Sequence, residues 1–360
     1  MAFFTKPDRL REPLYAIVPI QNPWRWRSRW VHTERAIKHF VDSGATVILI
    51  EAAFNRRELA FENSGLDGTP TNCDLLGSDH KFRNKYIGLR SSSELWLKEN
   101  LINIAVSRLP YDWQQVCWLD SDVHFMRPNW VGECIHKLQH YDFLQMFSHA
   151  RDLSPEYELM PEGYPHADGA SFVHAFHRGT LEAGKAGGAR SLESGYTGYP
   201  GRVWPGLAWA ATRRAWDSVG GLQDYHVWGG GDYVAAHALV GKREGMVRND
   251  LHLNYIKLAE SWFENCEKYI RHNVGVMSGS IFHHWHGIKE ARGYNKKHAL
   301  LASIGFDPLR HLKRDFQGLH QLNDLSEDAY IQLRDTMREI AKDRNEDSSD
   351  TRLDIWTQGH

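Results

Sequence analysis

Three short apolar runs, separated by segments with helical spacing, constrain the fold of this chain more than any other feature of its sequence. The runs are residues 14–20 (LYAIVPI), 45–52 (ATVILIEA) and 115–119 (QVCWL). Their length and their β-branched residues are typical of buried strands. Residues 29–43 and 91–107 lie between them and repeat apolar side chains at the spacing of a helix face, with Ser91–Ser93 as candidate caps of the second helix. This alternation predicts an α/β fold with a mixed, mainly parallel sheet flanked by helices, a Rossmann-like arrangement.

The second half of the chain carries further signals of secondary structure. Residues 204–221 have the pattern of a strand and a helix closed by glycines, and residues 227–241 that of a glycine turn leading into a helix. A short strand is predicted within 278–287 (SGSIFHHWHG). A last helix is indicated by apolar residues at helical spacing, namely Leu325, Tyr330, Leu333, Met337 and Ile340. We therefore expect a C-terminal helical extension followed by a flexible tail.

Composition narrows the class of protein. The 360 residues are 42% hydrophobic and 24% charged, the net charge is -2 and the pI is about 6.9. This balance is typical of a globular enzyme and argues against a strongly basic nucleic-acid-binding protein, although it allows a local basic patch. No apolar run approaches the ~20 residues of a membrane span, and the N-terminus lacks the pattern of a signal peptide. Four widely spaced cysteines fit free thiols in a reducing compartment, so we expect a cytoplasmic protein.

Polar side chains are expected where the predicted strands end, which is where parallel sheets bind their ligands. Asn22 and Glu51 are assigned to the ends of the first two strands, and Asp120 and Asp122 follow the third. A chain of this composition is expected to contain a D-x-D triplet by chance. The evidence for a metal site is therefore the position of the triplet directly after an apolar strand. Two carboxylates spaced in this way can hold a divalent cation together with diphosphate oxygens. The alternative is a turn with solvated aspartates.

A histidine cluster, His283-His284-Trp285-His286, follows another predicted strand. Alternate residues of an extended segment face one side, so His284 and His286 can reach one metal ion, and His283 alone is the other possibility. A shell that mixes carboxylate and imidazole suits Mn²⁺ better than Mg²⁺, which prefers oxygen. The competing interpretation is an aromatic core cluster. Sequence spacing does not show whether the fold brings the histidines to the D-x-D.

Glycines and an acid meet in the segment Trp228-Gly229-Gly230-Gly231-Asp232-Tyr233. Three successive glycines let the backbone approach a ligand closely. Asp232 is either the N-cap of the following helix or a general base that takes a proton from an attacking hydroxyl. Spacing alone favours neither role.

Residues 22–30 (NPWRWRSRW) interleave arginines with tryptophans after the first strand. Guanidinium groups and indoles suit a diphosphate and a stacked base, which makes Arg29 a candidate nucleotide contact. The alternative is a surface helix start with arginines lying along it. Other catalytic motifs are missing from the sequence, which contains no G-x-S-x-G, no G-x-x-x-x-G-K-[ST] and no G-x-G-x-x-G after a strand.

Together these segments resemble the GT-A glycosyltransferases, and among them the inverting galactosyltransferase-type enzymes whose C-terminal half carries F-G-G-V-S-A-L, I-N-G-F and Y-W-G-W-G-G-E-D-D. The matching residues are Trp204–Ala210 (WPGLAWA), Trp216, Val219–Leu222 (VGGL) and Val227–Tyr233 (VWGGGDY). Order and spacing agree throughout residues 204–233, which is more specific than the D-x-D. Gly231 and Tyr233 depart from the family pattern, which has acidic residues that engage the acceptor sugar at both positions.

The resemblance implies a metal-dependent hexosyltransferase that moves a sugar from a nucleoside-diphosphate sugar, with UDP as the expected nucleotide, to an acceptor hydroxyl with inversion of configuration. Asp232 falls on the catalytic base, Trp228 on a tryptophan of the donor and acceptor pockets, and Asp122 on the metal ligand. His284 and His286 resemble the H-x-H that completes the Mn²⁺ (or Mg²⁺) shell. Further candidates for donor contacts are Asn22, Arg29, Glu51, Asp120 and Gly230.

The resemblance also divides the chain into a GT-A domain over 1–320 and a C-terminal helix and tail over 321–360. Residues 1–125 are the expected nucleotide-binding half of the domain and 126–320 the acceptor-binding half. The acceptor stays open between a glycan and a hydroxymethylated base in DNA, for which the near-zero net charge is unfavourable. A non-catalytic sugar-binding module is the alternative to an enzyme. No membrane partner is expected, and the sequence does not indicate an oligomeric state.

Overall fold

The structure is a computed structural model that describes residues 12–69, 83–160, 168–182, 190–194, 200–287 and 290–349. Its helices are α1 Arg27–Asp42, α2 Lys98–Ser107, α3 Trp130–Lys137, α4 Phe172–His177, α5 Arg213–Val219, α6 Gly231–Leu239, α7 Leu253–Asn265, α8 Tyr294–Ser303, α9 Pro308–His311 and α10 Glu327–Arg344. Its strands are β1 Leu14–Gln21, β2 Thr46–Phe54, β3 Lys85–Ser91, β4 Gln115–Leu119, β5 Val123–Phe125, β6 Phe143–Gln145, β7 His149–Asp152, β8 Asp168–Ala170, β9 Leu181–Glu182, β10 Arg190–Ser194, β11 Pro200–Arg202, β12 Ala208–Thr212, β13 Val274–Val276, β14 Ser280–His283, β15 Leu312–Arg314 and β16 His320–Leu322. A π-helical turn, Cys266–Ile270, follows α7.

Seven strands form a mixed, mainly parallel sheet in the order β13-β6-β12-β4-β1-β2-β3. Strands β4, β1, β2 and β3 are parallel neighbours, with Tyr15 of β1 opposite Val116 on one side and Thr46 on the other. Strand β12 is antiparallel to both of its neighbours, β4 and β6, whereas β6 and β13 pair in parallel. Helices pack on the sheet, and the α/β class predicted from alternating strands and helices is confirmed.

Both faces of this sheet are buried, because successive residues of β1 point into two different cores. Ile17 belongs to the core that contains Leu101 of α2. Val18 belongs to the opposite core, with Phe40 of α1 and Trp130 of α3. A strand that is covered on both sides needs apolar residues at every position, which is why the run LYAIVPI does not alternate. The prediction of a buried strand at this position is confirmed.

A second sheet, ordered β5-β14-β7-β8, brings distant segments to the end of β4. Strand β5 begins directly after Asp122, and β14 pairs antiparallel with it so that His283 lies opposite Val123. Strand β7 pairs in parallel with the other edge of β14 and places Asp152 opposite His283. The histidine cluster therefore lies next to the D-x-D, although the two are far apart in the chain.

One helix prediction in the first third of the chain is wrong at its start. The second helix begins at Lys98, because Ser91 is the last residue of β3 and residues 92–97 are not helical. The serines therefore do not cap it, and its N-cap is Leu97. Strand β3 itself lies where the sequence patterns predict no strand. It is an edge strand whose buried residues alternate with exposed ones, so it lacks the continuous apolar run of its neighbours.

Predictions for the second half of the chain agree better with the structure. Residues 204–221 contain β12 and α5, and α5 ends at Gly220, whose φ of 80° is left-handed. Helix α10 is the predicted C-terminal extension, and Leu333 and Ile340 belong to its buried face. The predicted flexible tail spans residues 345–360. Its first residues are not a free tail, because Glu346 is buried, and residues beyond 349 lie outside the described part of the chain. The division into domains stays a prediction. Among the helices that the structure describes, none is long and apolar enough to span a bilayer.

The segment after α10 folds back over the N-terminus of α1. The Asp347 carboxylate accepts hydrogen bonds from the backbone N–H groups of Arg27 and Ser28, at 2.9 and 2.8 Å. The Arg29 guanidinium donates to both carboxylate oxygens of the buried Glu346, at 2.5 and 2.7 Å. Unpaired N–H groups and the helix dipole favour a carboxylate at a helix N-terminus. These bonds attach the C-terminal extension to the first strand–helix unit.

Glu346→Gln is expected to lower the free energy of unfolding by about 3 kcal/mol, because the buried guanidinium of Arg29 would lose its charged partner. Glu339→Gln is the matched control. Glu339 pairs with Lys296 on an exposed surface of α10, where an ion pair contributes about 0–1 kcal/mol. Urea unfolding followed by circular dichroism measures both variants. Equal stability of the two would show that the Arg29–Glu346 pair contributes nothing.

Candidate functional site

The D-x-D lies where β4 of the main sheet passes into β5 of the second sheet. Asp120 follows the last residue of β4, and its backbone N–H donates to the carbonyl of Leu207 at 2.9 Å. Leu207 has a φ of 75°, a left-handed conformation that non-glycine residues rarely adopt unless the surrounding structure holds them in it. The turn that precedes β12 is thereby attached to the D-x-D.

The side chains of Asp122, His283 and His286 form a group that can hold a metal ion, with ligand atoms within 4.8 Å of one another. The Oδ2 atom of Asp122 is 3.2 Å from Nδ1 of His286 and 3.8 Å from Nε2 of His283. Both imidazoles are buried, and Oδ1 of Asp122 is buried without a hydrogen-bond partner among the described residues. Two imidazoles and a carboxylate with an unsatisfied oxygen fit a divalent transition-metal ion.

A buried carboxylate orients the ring of His283. Oδ1 of Asp152 lies 2.6 Å from Nδ1 of His283 and accepts a hydrogen bond from its N–H. With the proton on Nδ1, the Nε2 atom presents its lone pair on the side of Asp122. Metal-binding histidines commonly have such a carboxylate behind them, because it sets the tautomer and raises the basicity of the ligand nitrogen. No sequence pattern marks Asp152, which reaches His283 through the pairing of β7 with β14.

His284 lies outside this group. Its ring stacks on that of His32 in α1, with centroids 5.0 Å apart. The predicted pair of His284 and His286 assumes a chain that stays extended as far as residue 286, but β14 ends at His283. Because the chain leaves the strand there, alternation no longer applies, and His283 and His286 come to the same side. The structure therefore groups His283, rather than His284, with Asp122 and His286.

Basic side chains around Asp122 favour the ionised form of its carboxyl group. Burial raises its pKa, but the imidazoles of His283 and His32 act against burial, and its pKa lies below the ordinary value. Burial and the Arg292 guanidinium hold the pKa of His286 well below its usual value. Arg292 also donates a hydrogen bond to Nε2 of His286 at 2.7 Å. With Arg292 donating to Nε2, the neutral ring of His286 carries its proton on Nδ1, which donates to the carbonyl of His284 at 3.0 Å. Metal binding through Nδ1 therefore requires that the proton move to Nε2 and that the hydrogen bond from Arg292 break.

Lys98 links the D-x-D to a second acidic residue. Its ammonium pairs with Oδ1 of Asp120 at 2.5 Å, and the lysine side chain is 14% exposed. Burial lowers the pKa of Lys98, but the carboxylates of Asp120 and Asp232 raise it by more, so the ammonium stays charged. The sequence patterns did not point to Lys98 or to its closeness to Asp120 and Asp232. The one signal is a lysine that directly follows two apolar residues, Trp96 and Leu97, at the start of a helix.

Asp232 lies in the first turn of α6, directly after the glycine turn. Gly229 and Gly230 have φ values of 90° and 93°, which glycine adopts without strain, and Gly230 rather than Asp232 is the N-cap. Oδ1 of Asp232 accepts a hydrogen bond from the N–H of Tyr233 at 2.8 Å. Oδ2 lies against Gly206, where it leaves no room for a Cβ. The carboxylate of Asp232 therefore faces the turn that contacts the D-x-D.

Trp228, the expected tryptophan of the donor and acceptor pockets, is buried in the core beneath the glycine turn. Its ring lies 6.5 Å from that of Phe306, edge to face. Its indole N–H is buried without a hydrogen-bond acceptor among the residues that the structure describes. Buried donors are usually satisfied, so this N–H is a position where a ligand could contribute the missing acceptor.

The candidate nucleotide contacts beside α1 already form hydrogen bonds to other residues of the protein. Asn22 closes the turn before the helix: its side chain donates to the carbonyl of Trp26 at 2.8 Å and accepts from its N–H at 3.0 Å. Arg29 is bound to Glu346, and its guanidinium lies over the ring of Trp26 at 4.9 Å. Both residues thus hold the segment that carries the interleaved arginines and tryptophans.

Glu51 does not lie at the end of its strand as predicted. Strand β2 continues to Phe54, so Glu51 is paired within the sheet. Its carboxylate oxygens accept hydrogen bonds from the backbone N–H groups of Ala60 and Phe61, at 2.8 and 3.1 Å, and from the hydroxyl of Tyr86 at 2.8 Å. Glu51 therefore anchors the loop after β2.

No family model and no curated protein matches this sequence. Among solved structures, the catalytic domain of Drosophila β1,4-galactosyltransferase 7 in complex with xylobiose matches at 10% identity and a TM-score of 0.29, over 63% of this chain and 60% of that one. A mutant of that enzyme in complex with manganese, UDP-Gal and xylobiose matches at 10% identity and a TM-score of 0.27, over 62% and 59%. A protein described as a nucleotide-diphospho-sugar transferase, from Desulfovibrio desulfuricans, matches at 9% identity and a TM-score of 0.28, over 91% and 97%. The galactosyltransferase matches span less than two thirds of that enzyme's chain, and with such TM-scores no activity or residue role is carried over from these structures.

Mn²⁺ is expected to bind the wild-type protein and to raise its thermal unfolding midpoint, because a ligand of the native state stabilises it by mass action. His283→Gln and Asp122→Asn should lose this response, since each removes a residue of the metal-binding group. His284→Gln is the matched control and should keep it. Mn²⁺ binding is followed directly by electron paramagnetic resonance. Loss of binding in His284→Gln with retention in His283→Gln would contradict the assignment.

Asp152→Asn is expected to weaken Mn²⁺ binding about 10- to 100-fold, because His283 would lose the carboxylate that orients it. The measurement is the same paramagnetic titration, compared with Asp217→Asn on an exposed surface of α5. Unchanged affinity in Asp152→Asn would mean that His283 is oriented by other contacts.

Proposed function

We propose that this protein is a metal-dependent, inverting glycosyltransferase that moves a hexose from a nucleoside-diphosphate sugar, with UDP as the expected nucleotide, to an acceptor hydroxyl. The observation that carries the proposal is the grouping of Asp122, His283 and His286 where the parallel strand β4 ends, with Asp232 nearby. Ligands of parallel α/β sheets bind at this edge. The likeness of residues 204–233 to the galactosyltransferase block supports the same reaction.

Asp122, His283 and His286 would hold the metal ion, and the two imidazoles favour Mn²⁺ over Mg²⁺. When bound, the ion supplies a Lewis acid that neutralises the departing diphosphate. Asp152 fixes the tautomer of His283, and Arg292 restrains the ring of His286. These two residues act on the ligands rather than on the substrate.

Asp232 is the proposed general base. The N–H of Tyr233 orients Oδ1, which leaves Oδ2 to accept the proton of an acceptor hydroxyl. The hydroxyl oxygen then forms a bond to the anomeric carbon while the bond from that carbon to the diphosphate oxygen breaks. Attack from the face opposite the leaving group inverts the anomeric configuration in a single displacement.

Three of the expected donor-side residues keep a direct role in the proposal, namely Asp120, Trp228 and Gly230. Asp120 contributes through its ion pair with Lys98, Trp228 through its unsatisfied indole N–H, and Gly230 through the left-handed turn before Asp232. Asn22, Arg29 and Glu51 are proposed to act on the donor site indirectly, by fixing the segments to which they are hydrogen-bonded.

Asp232→Asn is expected to reduce sugar transfer from a UDP-hexose by about 10²- to 10⁴-fold, because the amide cannot take the proton of the attacking hydroxyl. UDP affinity in the presence of Mn²⁺ should stay near the wild-type value. The measurements are calorimetric titration with UDP and release of UDP from UDP-hexoses, with saccharides or water as acceptor. Asp217→Asn, on the surface of α5, is the control.

Two results would contradict the proposal. Wild-type turnover in Asp232→Asn would remove the base from the mechanism. Transfer with retention of the donor's anomeric configuration, determined by proton NMR of the product, would exclude a single displacement.

A further inference from the structure

Glu99 is a buried acid that the reaction described above does not use. It is the second residue of α2, and 6% of its surface is exposed. Its neighbour Lys98 pairs with Asp120 instead. The Glu99 carboxyl accepts a hydrogen bond from its own backbone N–H, and its other effects on the described residues are electrostatic. Burying a carboxyl that has so few hydrogen bonds is costly, so its position calls for an explanation.

The Glu99 side chain lines a partly open cavity together with Lys98 and Asp232. The remaining wall is mostly apolar and includes Trp118, Leu207 and Trp209. The free space of about 20 Å³ has room for a group the size of a water molecule, such as one hydroxyl. The cavity therefore admits a single polar group beside the two acids.

Gly231 makes room for the Glu99 carboxyl. Its φ is outside the left-handed region that Gly229 and Gly230 occupy, so the backbone does not require glycine there. A Cβ at this position would come within 2.7 Å of Oε1 of Glu99. The galactosyltransferase-type pattern has a glutamate at this position. In this chain, the space beside Asp232 is filled by a carboxyl group from α2.

The protonation state of Glu99 suits the binding of a hydroxyl. Burial raises its pKa, Lys98 lowers it and Asp232 raises it, with a net value of about 8. At neutral pH the carboxyl therefore keeps its proton and can both donate and accept a hydrogen bond. As the proposed base, Asp232 accepts a hydrogen bond, so the two acids offer complementary partners to two hydroxyls.

We propose that Glu99 binds the acceptor, through a hydrogen bond to a hydroxyl next to the one that Asp232 deprotonates. The inference rests on the proposed function and narrows the acceptor. Two adjacent acids require two neighbouring hydroxyls, as saccharides carry, whereas a hydroxymethylated base presents one.

The test moves the carboxyl from one element to the other. Glu99→Ala removes the carboxyl group from α2. Gly231→Glu adds a second carboxyl group, whose space Glu99 already fills. The double variant has one carboxyl group in that space again, carried by residue 231 in place of residue 99. Each protein, loaded with UDP and Mn²⁺, is titrated separately with xylose, glucose, galactose and N-acetylglucosamine by saturation-transfer NMR. A DNA duplex containing hydroxymethylcytosine is titrated by fluorescence anisotropy. Glu264→Gln, on an exposed surface of α7, is the control.

We expect at least one monosaccharide to bind the wild type, and its affinity to fall about 10-fold in Glu99→Ala, the effect of one lost hydrogen bond. Gly231→Glu should also weaken binding, and the double variant should recover most of the affinity. This recovery is a coupling between the two positions that a purely structural role of Glu99 does not predict. An unchanged affinity for UDP shows that a variant is folded. If Glu99→Ala does not fold, Glu99→Leu fills the same space without hydrogen bonds and should show the same loss.

Three outcomes overturn the inference while leaving the proposed function intact, provided that UDP binds with Mn²⁺. They are the absence of binding by every monosaccharide, wild-type affinity in Glu99→Ala or Glu99→Leu, and binding of the modified DNA that depends on Glu99. Failure of UDP to bind the wild type in the presence of Mn²⁺ would overturn the proposed function and this inference with it.

Discussion

The candidate site depends on one buried cation, the ammonium group of Lys98. Asp120 pairs with it directly, and Asp232 and Glu99 are close enough to raise the pKa of the lysine. Carboxylates gathered in a buried site repel each other, and burial alone drives them towards the neutral form. The ammonium offsets that repulsion, so the first acid of the D-x-D and the proposed base can lie near one another. Because Lys98 begins α2, the packing of this helix on the sheet is a condition for the site.

A second condition is the small sheet that follows the D-x-D. The backbone ladder between β5, β14 and β7 sets Asp122, His283 and Asp152 side by side. Groups held by strands are positioned more accurately than groups on free loops, which matters for metal binding. The C-terminal extension supports the loop that carries His286: Arg344 donates to the carbonyl of this histidine at 3.2 Å, and the indole of Trp285 donates to the carbonyl of Ser348 at 2.7 Å.

The main strands were predictable because burial on both faces leaves an unmistakable apolar run, as in LYAIVPI and QVCWL. The edge strand β3 was not, since its residues alternate and its pattern KYIGLRS is weaker over so short a length. Glu51 shows a related difficulty. It was assigned to the end of β2, but the strand extends to Phe54. An acid inside a strand is stable there because the loop after β2 supplies two donors and Tyr86 of β3 supplies a third. Local sequence does not reveal donors that come from another loop.

By itself, the sequence determined the α/β class, the position of the D-x-D after a buried strand and the glycine turn before Asp232. These features follow from local periodicity and backbone freedom, which neighbouring residues specify. Only the tertiary structure decided that His283 rather than His284 stands beside Asp122, that Asp152 orients it and that Glu99 fills the space at Gly231. The physical reason is that side-chain direction depends on where β14 ends and on how distant segments pair. Both are set by long-range hydrogen bonding and packing, which no short window of sequence contains.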